Sequence, residues 1–309
     1  MTGAITALRR PRRLVRGDRV AVVAPSGPLE PERLARGCAV LESWGLEAVC
    51  GTHALDRDAH LAGRDEHRAA DLQQAWCDPS VAAILCARGG SGATRLLDLL
   101  DWNVMRRAEP KVLVGYSDAT ALHEGLATHL GIASLLGPMP AALPFGGETP
   151  DATSLDHLRR TLFDPEQVQV LRDDDTTCVT GGRATGVTVG GTLALLASTI
   201  GTPESRPADG GIALLEDITE PAYRLDNLVT QLLRSGWFHG VRGIVLGTWV
   251  DCGDDAAETV CARLDGLGVP LLADLPFGHG VPQLTVPLGV EAELDADAGT
   301  LTLAVPALR

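Results

Sequence analysis

Short β-branched runs alternate with longer stretches of helical period through the first half of the chain. Val20 to Ala24 is an apolar run of strand length, Pro31 to Trp44 has a helical pattern, and Glu47 to Cys50 reads as the next strand. After a loop rich in Asp, His and Gly, residues Arg68, Ala69, Leu72, Ala75 and Trp76 recur at helical spacing and predict a helix over Asp65 to Trp76. The strand Val81 to Cys86, a glycine turn, a helix over Thr94 to Leu100, the strand Lys111 to Gly115 and a helix over Ala119 to Leu130 continue the alternation. Such alternation builds a parallel sheet covered by helices, so residues 1–145 read as a doubly wound α/β domain.

Leu143 to Thr153 and the run Asp173-Asp174-Asp175 are polar and turn-forming, which places a crossover linker over 146–180. Beyond it strands dominate: Ile212 to Leu215, Gly243 to Leu246, Gly289 to Leu294 and Thr300 to Val305. Helical stretches over Thr192 to Ile200, Tyr223 to Leu233 and Ala257 to Leu267 interrupt them. Residues 181–309 therefore read as a smaller, mixed α+β, strand-rich C-terminal domain.

Composition narrows the classes. A chain of 309 residues with 45% apolar residues can bury a substantial core and suits two domains better than one. A net charge of −14 argues against nucleic acid as a partner, because phosphate binding needs a basic face. The local cluster Arg9, Arg10, Arg12, Arg13, Arg16 and Arg19 reads as a solvated, partly disordered lead-in. No apolar run of secretory-signal type follows it, and no later segment is apolar enough to span a membrane. Seven cysteines without a CxxC pair fit reduced thiols in a cytoplasm.

Four features could carry chemistry. Gly115-Tyr116-Ser117-Asp118-Ala119 puts a serine on a tight turn between strand and helix, flanked by small residues, as a nucleophile elbow requires. The Asp118 N–H would then point where an oxyanion forms. On this motif alone, Gly-x-Ser without a second glycine, Ser117 reads slightly better as a helix N-cap. Ala87-Arg88-Gly89-Gly90-Ser91-Gly92 follows a strand at the same carboxyl edge, so its backbone N–H groups could hold an anion, or it could be a plain turn. It matches neither a P-loop nor GxGxxG. Glu216 ends an apolar strand and His279 sits in Gly278-His279-Gly280, placements that suit an orienting acid and a base.

The remaining histidines suggest nothing comparable. His53, His60 and His67 lie in or beside a polar loop, and His157 and His239 have no acid or serine motif nearby. His123 and His129 are six apart, not the four that align ligands on one helix face. Neither a metal nor a cofactor is expected.

Together these pieces resemble the LD-carboxypeptidase family of serine peptidases, which includes the microcin-immunity hydrolases. The resemblance runs from about Gly17 to Leu294 through Ala24-Pro25-Ser26, Ala87-Arg88-Gly89-Gly90 with Arg95-Leu96-Leu97, and Gly115-Tyr116-Ser117-Asp118. It continues through Gly190-Gly191, Gly201-Thr202-Pro203, Leu215-Glu216-Asp217, Tyr223-Arg224-Leu225-Asp226, Gly278-His279 and Pro287-Leu288-Gly289. It implies Ser117 as nucleophile, His279 as general base and Glu216 as orienting acid, with the N–H groups of Asp118, Gly89 and Gly90 as the oxyanion hole. The implied substrate is a cytoplasmic murein tetrapeptide, cleaved to release D-alanine, and the implied assembly is a homodimer. Arg88 is a candidate for the substrate carboxylate. Thr192 departs from the family pattern, which usually has asparagine after the paired glycines, and this bears on loop or substrate contacts. Two other readings remain: a microcin-immunity-type hydrolase of aminoacyl or peptidyl nucleotides with the same triad, and a noncatalytic anion-binding α/β protein.

Overall fold

A computed structural model describes residues 4–309. Strands β1 (Arg19–Val23), β2 (Glu47–Cys50), β3 (Val81–Cys86), β4 (Val112–Gly115) and β5 (Ser134–Leu136) pair in parallel in the order β5-β4-β3-β1-β2. Helices Pro31–Ser43 and Asp65–Cys77 make the connections from β1 to β2 and from β2 to β3. β4 is apolar without alternation because both of its faces are covered, and every residue in it is buried. The helix predicted over Thr94 to Leu100 shrinks to the 3-10 turn Ala93–Leu96. An α-helix would give the Leu97 carbonyl to the Asp101 N–H. Instead the Trp102 indole takes that carbonyl, and Asp101 N–H bonds Gln73.

The crossover over 146–180 is built into the fold. Asp151 accepts from Ser154 N at 2.8 Å and caps the helix Ala152–Phe163, which buries Leu158 and Leu162. Asp, Ser and Thr favour N-caps and turns alike, so this segment is ambiguous in one dimension. Strands β6 (Val170–Arg172) and β7 (Thr177–Thr180) then take opposite edges of a second, eight-stranded sheet.

The centre of that sheet is parallel: β8 (Arg183–Thr192), β9 (Gly211–Ile218), β10 (Gly243–Val250) and β11 (Leu271–Ala273). Helices Leu193–Ser198, Ala222–Ser235 and Ala256–Leu264 connect them. The chain next forms β12 (Val286–Leu288), which lies antiparallel to β5 and extends the first sheet, covering its edge. It ends in β13 (Glu291–Asp295) and β14 (Thr300–Leu303), which carry the second sheet outward to β6. The C-terminal stretch thus contributes to both sheets.

Alternation in β9 and β10 joins the two halves. Ala213, Leu215, Ile244 and Leu246 pack with Leu225, Val229 and Leu232 of the helix Ala222–Ser235. Ile212, Leu214 and Val245, on the other face, belong to the cluster that runs through the first sheet. The arginine-rich lead-in, expected to be solvated and partly disordered, is ordered across its described residues. Leu8 N bonds Gly289 O, Arg13 N bonds Arg309 O, Arg10 Nη1 reaches Pro306 O, and Leu14 is buried. The arginines are anchored through their backbone while their heads find carbonyls or acids such as Asp18 and Glu47. No helix among the described residues is long and apolar enough to cross a membrane.

Candidate active site

At the end of β4 the backbone turns sharply. Tyr116 is extended, Ser117 has φ +62°, and the 3-10 turn Ser117–Ala119 leads into the helix Thr120–Gly125. A left-handed serine costs on the order of 1–3 kcal/mol and persists only when its surroundings impose it. An N-cap has an extended φ, and neither this turn nor this helix receives a side-chain cap, so Ser117 is not acting as one. Small neighbours make the turn possible. A methyl group at Gly115 would lie 2.8 Å from Ala119 Cβ, and one at Gly89 would lie 2.6 Å from Ser117 Cβ.

The glycine turn after β3 therefore lies directly against the serine. Asp118 Oδ2 accepts from Ala93 N at 2.8 Å, tying the elbow to this turn, and Gly27 N bonds Gly89 O at 3.2 Å. Gly27 and Gly89 belong to the loops after β1 and β3, where the strand order reverses, the place at which open α/β sheets bind ligands. Arg68, fully buried, donates to Pro25 O, to Gly92 O at 3.1 Å and to Asp65, bracing both loops from below. Arg88 is exposed on the turn, with Nη1 donating to Pro28 O at 2.7 Å and its other donors free for a ligand.

The second half supplies an acid and an imidazole. Glu216, near the end of β9, is completely buried, and His279 Nδ1 lies 2.6 Å from its Oε2. A carboxylate only accepts, so Nδ1 carries the proton and Nε2 is left as the basic nitrogen. Gly278, at φ +97°, lets the loop lie against the acid, since a methyl group there would sit 2.4 Å from Glu216 Oε2. Thr192 is the register partner of Glu216 between β8 and β9, and its hydroxyl donates to Glu216 Oε1 at 2.5 Å. Thr192 N donates to Thr120 Oγ1 at 3.1 Å, linking the acid's neighbour to the helix behind Ser117. Asp217 turns away to accept from Ala194 N and Ile218 N, and burial pushes its carboxyl up to about 7.

The two halves meet at Tyr116, whose ring stands edge-on to His279 with centroids 4.9 Å apart. Burial, and then the Glu216 charge, push its phenol above its ordinary value, with Arg88 opposing. Tyr116 thus brings the turn that bears Ser117 to the Glu216–His279 pair, although the Ser117 hydroxyl makes no hydrogen bond to the imidazole in this arrangement. Arg68 belongs to this site without a sequence signal, while Tyr116 and Thr192 lie in sequence motifs that do not tell what they touch. Their parts follow from register and packing, and Thr192 serves the acid rather than a loop. His123 is buried between Ser134 Oγ at 2.8 Å and Gly115 O at 2.9 Å, and His129 pairs with Glu204 at 2.7 Å, so these two are structural.

A doubly wound parallel sheet presenting a strained serine, joined to a second, mixed sheet that carries an acid–imidazole pair, defines a two-domain α/β fold. Family models described as the LD-carboxypeptidase N-terminal and C-terminal domains match residues 20–137 and 185–294. The chain belongs to the LD-carboxypeptidase family. It is 56% identical over 307 residues to the Streptomyces coelicolor "Putative carboxypeptidase", covering 97% of this chain and 98% of the relative. The microcin C7 self-immunity protein MccF of Escherichia coli is 27% identical, with 93% of each chain covered. The crystal structure of muramoyltetrapeptide carboxypeptidase from Oxalobacter formigenes superposes with a TM-score of 0.79 at 31% identity, covering 92% of this chain and 97% of that one.

Proposed function

We propose that this chain is a serine-type LD-carboxypeptidase that releases terminal D-alanine from murein tetrapeptides in the cytoplasm, working as a homodimer. The observation that carries the reading is the Glu216–His279 hydrogen bond set against the ring of Tyr116, the residue next to a left-handed Ser117. Ser117 Oγ attacks the scissile carbonyl carbon as His279 Nε2 takes the hydroxyl proton. The tetrahedral intermediate collapses, the C–N bond breaks, and the imidazolium returns the proton to the departing D-alanine amine. Water, deprotonated by the same nitrogen, then hydrolyses the ester. Glu216 holds the tautomer and stabilises the imidazolium. The N–H groups of Asp118, Gly89 and Gly90 serve the oxyanion, and Arg88 serves the terminal carboxylate.

The Escherichia coli self-immunity relative supports a second reading, hydrolysis of an aminoacyl or peptidyl nucleotide by the same groups. The test is product release by wild type and Ser117→Ala, each given an L,D-tetrapeptide and, separately, an aminoacyl sulfamoyl adenylate. D-alanine from wild type, with a loss on the order of 10³-fold or more in the variant, supports the carboxypeptidase. Cleavage of the adenylate alone selects the second reading. Binding without turnover of either compound leaves a noncatalytic anion-binding protein and rejects the mechanism.

A further inference from the structure

The loop from Gly51 to Arg64, between β2 and the helix Asp65–Cys77, brings its His53 and Asp56 together with His67 in the first turn of that helix. His53 Nδ1 lies 2.8 Å and His67 Nδ1 3.2 Å from the same Asp56 Oδ2, and one ligand atom from each residue falls within a common 4.8 Å. The two imidazoles stack with centroids 4.0 Å apart. His67 is fixed in the first turn of the helix, while His53 is pinned by its own N–H, which donates to the buried Asp71 Oδ2 at 2.8 Å. Asp56 is held by a turn that needs Gly63 at φ +91°, where a methyl group would sit 2.6 Å from Asp56 Cβ. The two imidazoles are half-buried and the Asp56 carboxylate is exposed, leaving one side open to water.

We infer that His53, Asp56 and His67 form a site for a borderline divalent cation, with Zn²⁺ the best match. Two imidazole nitrogens and a carboxylate oxygen are the donors zinc prefers. Bond lengths of about 2.0–2.2 Å in a tetrahedron set neighbouring ligand atoms roughly 3.3–3.5 Å apart. The 2.8 and 3.2 Å separations from Asp56 come close to that spacing, and the two imidazoles, with ligand atoms within 4.8 Å of one another, would have to turn towards the ion that replaces the shared protons. The fourth position belongs to solvent. The ion would clasp this loop shut, and the loop borders the active-site turns. Ala62 N bonds Ser26 O at 2.9 Å, Leu61 packs against Gly92, and Arg68, one residue beyond the ligand His67, holds the Pro25 and Gly92 carbonyls. The site is separate from Glu216 and His279, so it is a structural clasp rather than part of the reaction.

Full-length protein, stripped with a chelator, is titrated with ZnCl₂ by calorimetry and with Co²⁺ by visible absorption, alongside Asp56→Asn and His67→Ala variants whose fold is checked by circular dichroism. The expected result is one Zn²⁺ per chain with affinity on the order of micromolar or tighter, weakened about 100-fold or more in either variant. Co²⁺ should give bands without the thiolate charge transfer that cysteine ligation brings. Zinc should also slow tryptic cleavage after the exposed Arg57 and Arg64. No binding to wild type, or undiminished binding to both folded variants, overturns the site and leaves Asp56 simply bridging two imidazoles.

Discussion

Thr192 shows how much one hydroxyl can matter in this cleft. Glu216 is completely buried, with Oε2 serving His279 and Oε1 receiving the Thr192 hydroxyl. Removing that donor leaves a buried carboxylate oxygen unsatisfied, at a cost of about 1–3 kcal/mol. Thr192→Val should therefore lower the melting temperature and reduce kcat about tenfold or more, with Thr192→Ser restoring both. Thermal melts and D-alanine release measure this, and a fully active valine variant would show that the acid needs no second partner. The threonine is legible in the sequence as a departure from a family pattern, but its target is not. Only the parallel register of β8 and β9 places it beside the acid.

Among the elements, the helix Ala152–Phe163 is the one that the polar crossover concealed. Its first turn reaches the chain beyond His279: Ser154 Oγ donates to Asp151 at 2.6 Å and accepts from Gln283 N at 2.7 Å. One turn later His157 Nδ1 accepts from Thr285 N at 3.1 Å, and burial, which pushes this imidazole down to about 4, keeps that nitrogen unprotonated at neutral pH. The helix thereby anchors the segment between the histidine loop and β12. Ser154→Ala removes the acceptor from a buried N–H and should cost about 1–3 kcal/mol in urea unfolding. A change below a few tenths of a kcal/mol would mean that the segment is held by its other contacts alone. Strands β1, β3 and β4 are legible because buried parallel strands read as continuous apolar runs. The helix is less so, because its cap has turn chemistry.

At the scale of the whole molecule, the proposed function needs the two sheets held against each other, and a buried acid sits where they meet. Glu124, on the helix behind Ser117, accepts from Arg206 N of the second half at 3.1 Å. Burial pushes its carboxyl up to about 7, with the Arg206 charge opposing. A raised folded pKa means that its favourable contribution is complete below about pH 4.5 and is lost as pH rises through about 7. Between pH 5 and pH 8 the wild type should thus lose stability relative to Glu124→Gln by at most about 3 kcal/mol, read from urea unfolding at several pH values. Parallel pH profiles for the two proteins would reject this account. By itself the sequence determined the alternation of the first sheet's strands and helices, the serine turn after β4, and the residue types of the proposed acid and base, because these are written in local periodicity and short motifs. Only the tertiary structure decided that Glu216 and His279 pair, that Thr192 and Tyr116 flank them, that β12 returns to the first sheet, and that His53 and His67 share Asp56. Apart from the local histidine–aspartate cluster, those contacts join residues far apart along the chain, where no local pattern encodes distance and packing alone selects the partners.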